Sequence, residues 1–373
     1  MSKVKKRVLI VLLSVLAAIL ILVGVFFGIY FTRIQTFSSI EQLTDYSDGY
    51  NLYRMDVKYD YSIDDIIDYG ITDDQSMIDA IVKEALPILP VKIKAPEFGC
   101  TAFTITDKDG DVHMGRNYDF SLDTSSMLVY CTPKDGYKSM AFAALDNVSA
   151  NVPDESIKNK MASLTAPFVC LDGINEKGVS IAVLTLDSEP VHQNTGKPVI
   201  STSLAIRLVL DKASSTEEAV ELLKKYDMIS SCGRDYHFYI NDGSGDCRVI
   251  EYDVGGEPRE LIDTKSEAVT NFFIRHKDEV KPNQKNGIYG HGKERYDAVM
   301  DVLKEEKGNY TDATVWNGME AAAQDPNPND ITSNTQWSIS YNNTDLTADI
   351  VLRRNWDDIT HCDLESKVTT PLK

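Results

Sequence analysis

The stretch that most constrains this chain is its first one. Val8 to Phe31, "VLIVLLSVLAAILILVGVFFGIYF", holds 24 residues without a charge. At about 1.5 Å per residue, a helix of that length crosses one bilayer. A secretory signal would carry a shorter apolar region and a small-x-small cleavage site, whereas this run ends in bulky Phe31 and Arg33. No polar face interrupts it, which argues against a buried core helix. Lys3, Lys5, Lys6 and Arg7 precede it, so the N-terminus is expected to stay cytoplasmic and everything after the helix to lie outside. Residues 1–33 are read as the basic flank and anchor of a single-pass cell-membrane protein.

The remainder is rich enough in apolar residues for a large packed core. Hydrophobic residues make up 43% of the chain and charged ones 25%, which excludes global disorder. The formal charge is −19, with no basic cluster after the N-terminus, so no nucleic-acid partner is expected. Cysteines at 100, 131, 170, 232, 247 and 362 show no disulfide framework, although an outward-facing domain could form disulfides. Cys170, in "APFVCLDG", reads as a buried hydrophobe. There is no CxxC pair, the six histidines lack ligand spacing, and adjacent His361 and Cys362 suit a shared metal poorly. Neither a metal nor a cofactor is expected.

Residues 34–99 carry 13 acids against 5 bases. "ITDDQSMIDAIVKEAL" (Ile71 to Leu86) reads as a helix capped at Thr72, with Met77, Ile78, Ile81, Val82 and Leu86 on one stripe. "PILPVKIKAPEFG" reads as an extended, proline-marked link. From Cys100 the pattern turns to strands. Thr101–Asp107 and Val112–Asn117 flank a "KDGD" turn. Met127–Thr132 pairs with Lys138–Leu145, and Phe168–Asn175 with Val179–Leu186. Helices are expected within Ser201–Ala213 and across "STEEAVELLKKY", which has a Ser/Thr–Glu capping signature. Strands return at His237–Asn241, Cys247–Tyr252 and Ala268–Ile274, helices at Lys293–Lys304 and Asp312–Ala323, and a hairpin at Thr335–Tyr341 and Thr347–Leu352. Blocks of strands alternating with blocks of helices predict two packed antiparallel sheets with helices outside, an α+β fold without βαβ repetition.

"CTAFTITDKDGDVHMGRNYDF" carries the chemistry. "DKDGD" fails as a calcium-binding EF-hand, because its glycine comes fourth and the twelfth residue from Asp107 is Tyr118 instead of Glu. The whole segment resembles the opening of the choloylglycine hydrolase, or linear amide C–N hydrolase, family. Bile salt hydrolases and penicillin V acylases belong to it, with acid ceramidase and N-acylethanolamine acid amidase as more distant relatives. The match rests on Cys100, Thr101, Asp107, Gly110, Gly115, Arg116, Asn117, Asp119 and Phe120. It continues through "GINEKGVSIAVL", "EAVTNFF", "GKERYDAV" and "TQWSISYN".

The resemblance implies a four-layer αββα N-terminal-nucleophile hydrolase domain over residues 100–373, preceded by a propeptide at 34–99 and the transmembrane helix. In such enzymes the thiol attacks an amide carbon and the residue's own α-amine is the base. An α-amine with a pKa of about 7.7–8.0 can accept a proton near neutrality, and a backbone amide cannot. The Gly99–Cys100 bond therefore has to be cut first, and glycine leaves that bond open to self-cleavage. Carried over residue by residue, Cys100 is nucleophile and base, Arg116 favours the thiolate, and Asp119 holds the amine. Asn271 offers its side-chain N–H to the oxyanion, Thr185 offers its backbone N–H there, and Arg295 buttresses the site. Arg116 and Asn271 are expected to serve catalysis without a structural role. Relatives often carry Asn or Tyr where this chain has Thr185, so a specific bile salt or penicillin activity does not transfer. The implied function is hydrolysis of a non-peptide linear N-acyl amide through an acyl-enzyme on Cys100. The alternative is an unprocessed, non-catalytic, membrane-anchored binding protein on the same fold. Two chains that stay associated after cleavage are expected, and a homo-oligomer is compatible with the sequence.

Overall fold

A computed structural model describes residues 3–87, 99–285, 287–327, 329–330 and 332–372. The hairpin that opens the family motif sets the frame. Gly99–Thr106 and Val112–Asp119 pair antiparallel, with Cys100 opposite Tyr118 and Ala102 opposite Arg116. The turn closes because Asp107 Oδ1 accepts the backbone N–H groups of Asp109 and Asp111, both at 2.9 Å. Gly110 supplies the positive φ of 95° that a side chain would resist.

These strands lie in a seven-stranded sheet ordered Ala268–Val269, Gly99–Thr106, Val112–Asp119, Thr335–Asn342, Thr347–Leu352, Ile359–Asp363, Thr369–Leu372. A nine-stranded sheet packs against it, ordered Glu41–Gln42, Leu52–Asp56, Ser126–Cys131, Ser139–Ala144, Cys170–Asn175, Ser180–Leu186, Asp235–Asn241, Cys247–Tyr252, Leu261–Lys265. Alternation fixes what each face carries. Cys100, Ala102, Met114 and Tyr118 join the large core between the sheets. Phe103 and Ile105 point the other way, into a smaller core with Val299, Leu303, Val315 and Met319 of helices Lys293–Glu305 and Asp312–Ala322. Helix Thr202–Lys212 covers the opposite side, on strands Cys170–Asn175 and Ser180–Leu186. The layers are helix, sheet, sheet, helix, as expected.

The segment before Cys100 is woven into this sandwich. Leu52–Asp56 runs parallel to Ser126–Cys131, among the described residues the one parallel pairing in a sheet expected to be wholly antiparallel. A strand arriving from outside the consecutive hairpins need not obey their antiparallel order. Helix Asp74–Ala85 buries Met77 and Ile81, while Ile78 and Val82 pack at its margin. Its cap is Asp73, not Thr72: the Asp73 carboxylate accepts Ser76 N–H at 2.8 Å and Ser76 Oγ accepts Asp73 N–H at 3.0 Å, a reciprocal capping box. The proline-marked link lies, over residues 88–98, outside the described residues.

The apolar run forms a helix, Lys3–Ser38, long and apolar enough to cross a membrane. Its C-terminal end is tied to the domain. Arg33 donates to the carbonyls of Ala85 at 2.7 Å and Glu84 at 2.6 Å, and Thr36 Oγ1 accepts Lys58 N–H at 2.8 Å. The expected strand Ala268–Ile274 is only Ala268–Val269, because Thr270 and Asn271 leave the ladder to serve the site described next.

Candidate active site

Cys100 is fully buried at the start of its strand. Burial pushes its thiol up to about 12, against the pull of the positive charge on Arg116. The Asp119 carboxylate adds a smaller upward push. Joined to Gly99, this residue is a neutral thiol at physiological pH.

Arg116 reaches it because Arg116 pairs with Ala102 and so shares the inter-sheet face. The guanidinium crosses to the other sheet, where it donates to Val183 O at 2.9 Å and lies 3.4 Å from Asp172. It also donates to Asn117 O at 2.6 Å. Asp172 is fully buried and further held by Tyr341 Oη at 2.5 Å and Trp337 Nε1 at 3.2 Å. Burial raises its carboxyl above the usual range, opposed first by Arg116 and then by these two donors.

Asn271 forms the second arm. Its Oδ1 accepts Cys100 N–H at 3.0 Å and Arg295 Nη2 at 2.6 Å, which fixes the amide's orientation. Nδ2 then donates to Thr185 O at 2.8 Å and, having two hydrogens, keeps one for another acceptor. Thr185 sits near the end of Ser180–Leu186, past the point where the register with Cys170–Asn175 stops at Ala182. It has the parity of Val183, whose carbonyl points to Arg116 instead of into the ladder with Asp235–Asn241. In an antiparallel strand a residue's N–H and C=O face the same side, so Thr185 N–H faces the region bordered by Arg116 and Asn271.

Arg295 is no surface charge. It opens helix Lys293–Glu305, is buried, and donates to Cys100 O at 2.8 Å, Thr101 Oγ1 at 3.1 Å and Asp119 at 3.3 Å. Asp119, opposite Gly99 in register, also accepts Thr335 Oγ1 at 2.7 Å and Gln324 Nε2 at 2.9 Å. In the joined chain Cys100 N–H therefore meets Asn271, while Asp119 braces Arg295. Of the six catalytic candidates named from the sequence, Cys100, Asp119, Thr185, Asn271 and Arg295 are joined by hydrogen bonds, and Arg116 lies beside them on the face that Cys100 shares.

Residues 100–257 match the model of the linear amide C–N hydrolases, choloylglycine hydrolase family. No curated protein matches the sequence. Among solved structures the fold is similar to penicillin V acylase from Agrobacterium tumefaciens, with TM-score 0.54 and 17% identity over 72% of this chain and 87% of that one. It is also similar to a mutant conjugated bile acid hydrolase from Clostridium perfringens, with TM-score 0.51 and 16% identity over 74% and 96% of the respective chains.

Sequence reasoning missed Asp172, Gln324 and Thr335. Asp172 had a signal: one carboxylate inside the apolar strand "CLDGIN" requires a buried partner. Gln324 and Thr335 had none, since they reach Asp119 only through tertiary folding. Gln324 also lines a polar cavity of about 470 Å³ with Asp187, Arg234, His291, Glu294 and Thr332. One hydrogen bond thus separates that cavity from Asp119.

Proposed function

We propose that this protein is a cysteine N-terminal-nucleophile amidohydrolase that hydrolyses a small-molecule N-acyl amide after cutting its own chain before Cys100. The observation that carries the reading is the double use of Asn271. One amide group accepts from the nitrogen of Cys100 and donates beside Thr185, where an oxyanion would form next to the thiol. In self-processing, Cys100 Sγ attacks the Gly99 carbonyl carbon, and the C–N bond breaks as the nitrogen takes up the proton. That step frees the α-amine and leaves a Gly99 thioester, which water then hydrolyses to the Gly99 carboxylate and the free Cys100 thiol.

In turnover the α-amine, held by Asn271 Oδ1, takes the thiol proton as sulfur attacks the substrate carbonyl. Arg116 stabilises the sulfur anion. The tetrahedral oxyanion accepts from Asn271 Nδ2–H and Thr185 N–H, and each such donor is usually worth about 2.7–4 kcal/mol. The α-ammonium then gives its proton to the departing amine nitrogen. Water, activated by the same amine, hydrolyses the thioester to a carboxylic acid. Arg295 and Asp119 are positioning residues that hold Asn271 and the Cys100 carbonyl.

The segment at 34–99 is on this reading a propeptide that remains bound, and the Lys3–Ser38 helix an N-in, C-out anchor that places the domain outside the cytoplasm. Support comes from the strand Leu52–Asp56 inside the sheet and from the basic flank before Val8. The test is the N-terminal residue of the purified domain, followed by amine release from a panel of N-acyl amides. A chain beginning at Cys100 that releases amine is expected. An intact Gly99–Cys100 bond in the mature protein, with no turnover, would establish the non-catalytic binding protein instead.

A further inference from the structure

The "DKDGD" turn, unsuitable as an EF-hand, meets two other residues in the folded chain. His113 Nε2 lies 3.6 Å from Asp107 Oδ2 and 3.3 Å from Asp312 Oδ1. The three ligand atoms all fall within 4.8 Å of one another. His113 is 4% exposed, and among the described residues neither of its ring nitrogens has a hydrogen-bond partner, although Nε2 lies within 3.6 Å of both carboxylates. A buried imidazole that hydrogen-bonds to nothing is costly. The separations fit a different role. Ligands about 2.0–2.2 Å from a tetrahedral zinc ion lie about 3.3–3.6 Å apart, the spacing that His113 keeps from both carboxylates. Asp107 Oδ1 is occupied by the turn's own N–H groups, which orients Oδ2 toward His113.

We propose that Asp107, His113 and Asp312 form a binding site for one divalent first-row cation of the zinc class, with solvent completing the coordination. Its role is structural. Asp107 follows the strand that carries Cys100, His113 lies on the strand that carries Arg116, and Asp312 opens the helix that packs on both. A cation there clamps hairpin to helix about 23 Å from the nucleophile, counting seven residues at about 3.3 Å each.

The test uses the full chain in detergent, stripped with EDTA and titrated with Zn²⁺ by calorimetry, with Co²⁺ absorption as a spectroscopic check on the ligand set. Asp312→Asn is the deciding variant, because Asp312 is 78% exposed and its loss leaves the core alone. One tight Zn²⁺ per chain is expected, with a rise in melting temperature, and binding weakened about tenfold or more in Asp312→Asn and in His113→Gln. Absence of tight Zn²⁺ binding to the parent would overturn the proposal. So would unchanged binding in Asp312→Asn, which would assign the ion to another part of the acidic surface.

Discussion

Replacing Arg116 by methionine should reveal a stability role that its place in the motif conceals. Its guanidinium is the only cation the structure puts against Asp172 among the described residues, and both are fully buried on opposite sheets. Removing one partner of such a pair costs about 3–5 kcal/mol, because the other charge is left uncompensated. Asp172 keeps Tyr341 and Trp337 as donors, so its escape is to bind a proton. Burial already raises its carboxyl and Arg116 is the strongest opposing influence, so the variant's folded pKa rises further. A carboxyl raised on folding contributes stability that is fully present below its unfolded pKa of about 3.9 and is lost as pH climbs through the folded value, at about 1.4 kcal/mol per unit. The variant's deficit against parent should therefore be largest near about pH 8 and shrink toward about pH 4.5.

Urea unfolding followed by the buried Trp337 reads this out, in a Cys100→Ala background so that every chain compared is uncut. Adding Asp172→Asn to Arg116→Met should restore about 1–3 kcal/mol at neutral pH by removing the stranded charge. A deficit that stays flat with pH, together with no recovery in the double variant, would refute the account. Loss of turnover in Arg116→Met then cannot be attributed to thiolate stabilisation alone.

Asn271→Ala should lower kcat for amine release about 10²–10³-fold and slow the appearance of a Cys100 N-terminus, since one side chain serves both reactions; equal kcat would remove Asn271 from the mechanism. With its thiol pushed up to about 12, Cys100 in the uncut chain should be alkylated at a rate that still climbs about tenfold per unit above about pH 9, without a plateau; mass spectrometry showing a plateau below about pH 9 would contradict the burial argument. After processing, the two chains should co-purify through native gel filtration, because Leu52, Met55, Met77 and Ile81 are buried in the catalytic domain's core. Met77→Asp with Ile81→Asp should release them, and a Cys100 chain that elutes alone in the parent would mean that these contacts do not hold.

Much of the site was legible because a hairpin is a local object. "CTAFTITDKDGDVHMGRNYDF" alternates with period two around a turn whose glycine needs positive φ. That pattern pairs Gly99 with Asp119 and Cys100 with Tyr118, and places Arg116 at the next pair on the face that Cys100 shares. The uninterrupted apolar run likewise needs no partner to be a helix. Other features depended on distance in the chain. Thr72 and Asp73 are equally good caps on paper, and reciprocal bonding with Ser76 chose Asp73. "EAVTNFF" has the apolar residues of a strand, yet Asn271 must leave the ladder to reach Cys100, Thr185 and Arg295. Arg295 looked like any charge on an amphipathic helix until that helix packed its first turn over Cys100. The sequence therefore determined which residues are candidates for the chemistry and which local strands and helix present them. The tertiary structure decided that Arg116 also binds the two sheets through Asp172, and that the segment before Cys100 is part of the core, because burial and long-range pairing arise only when distant segments exclude water together.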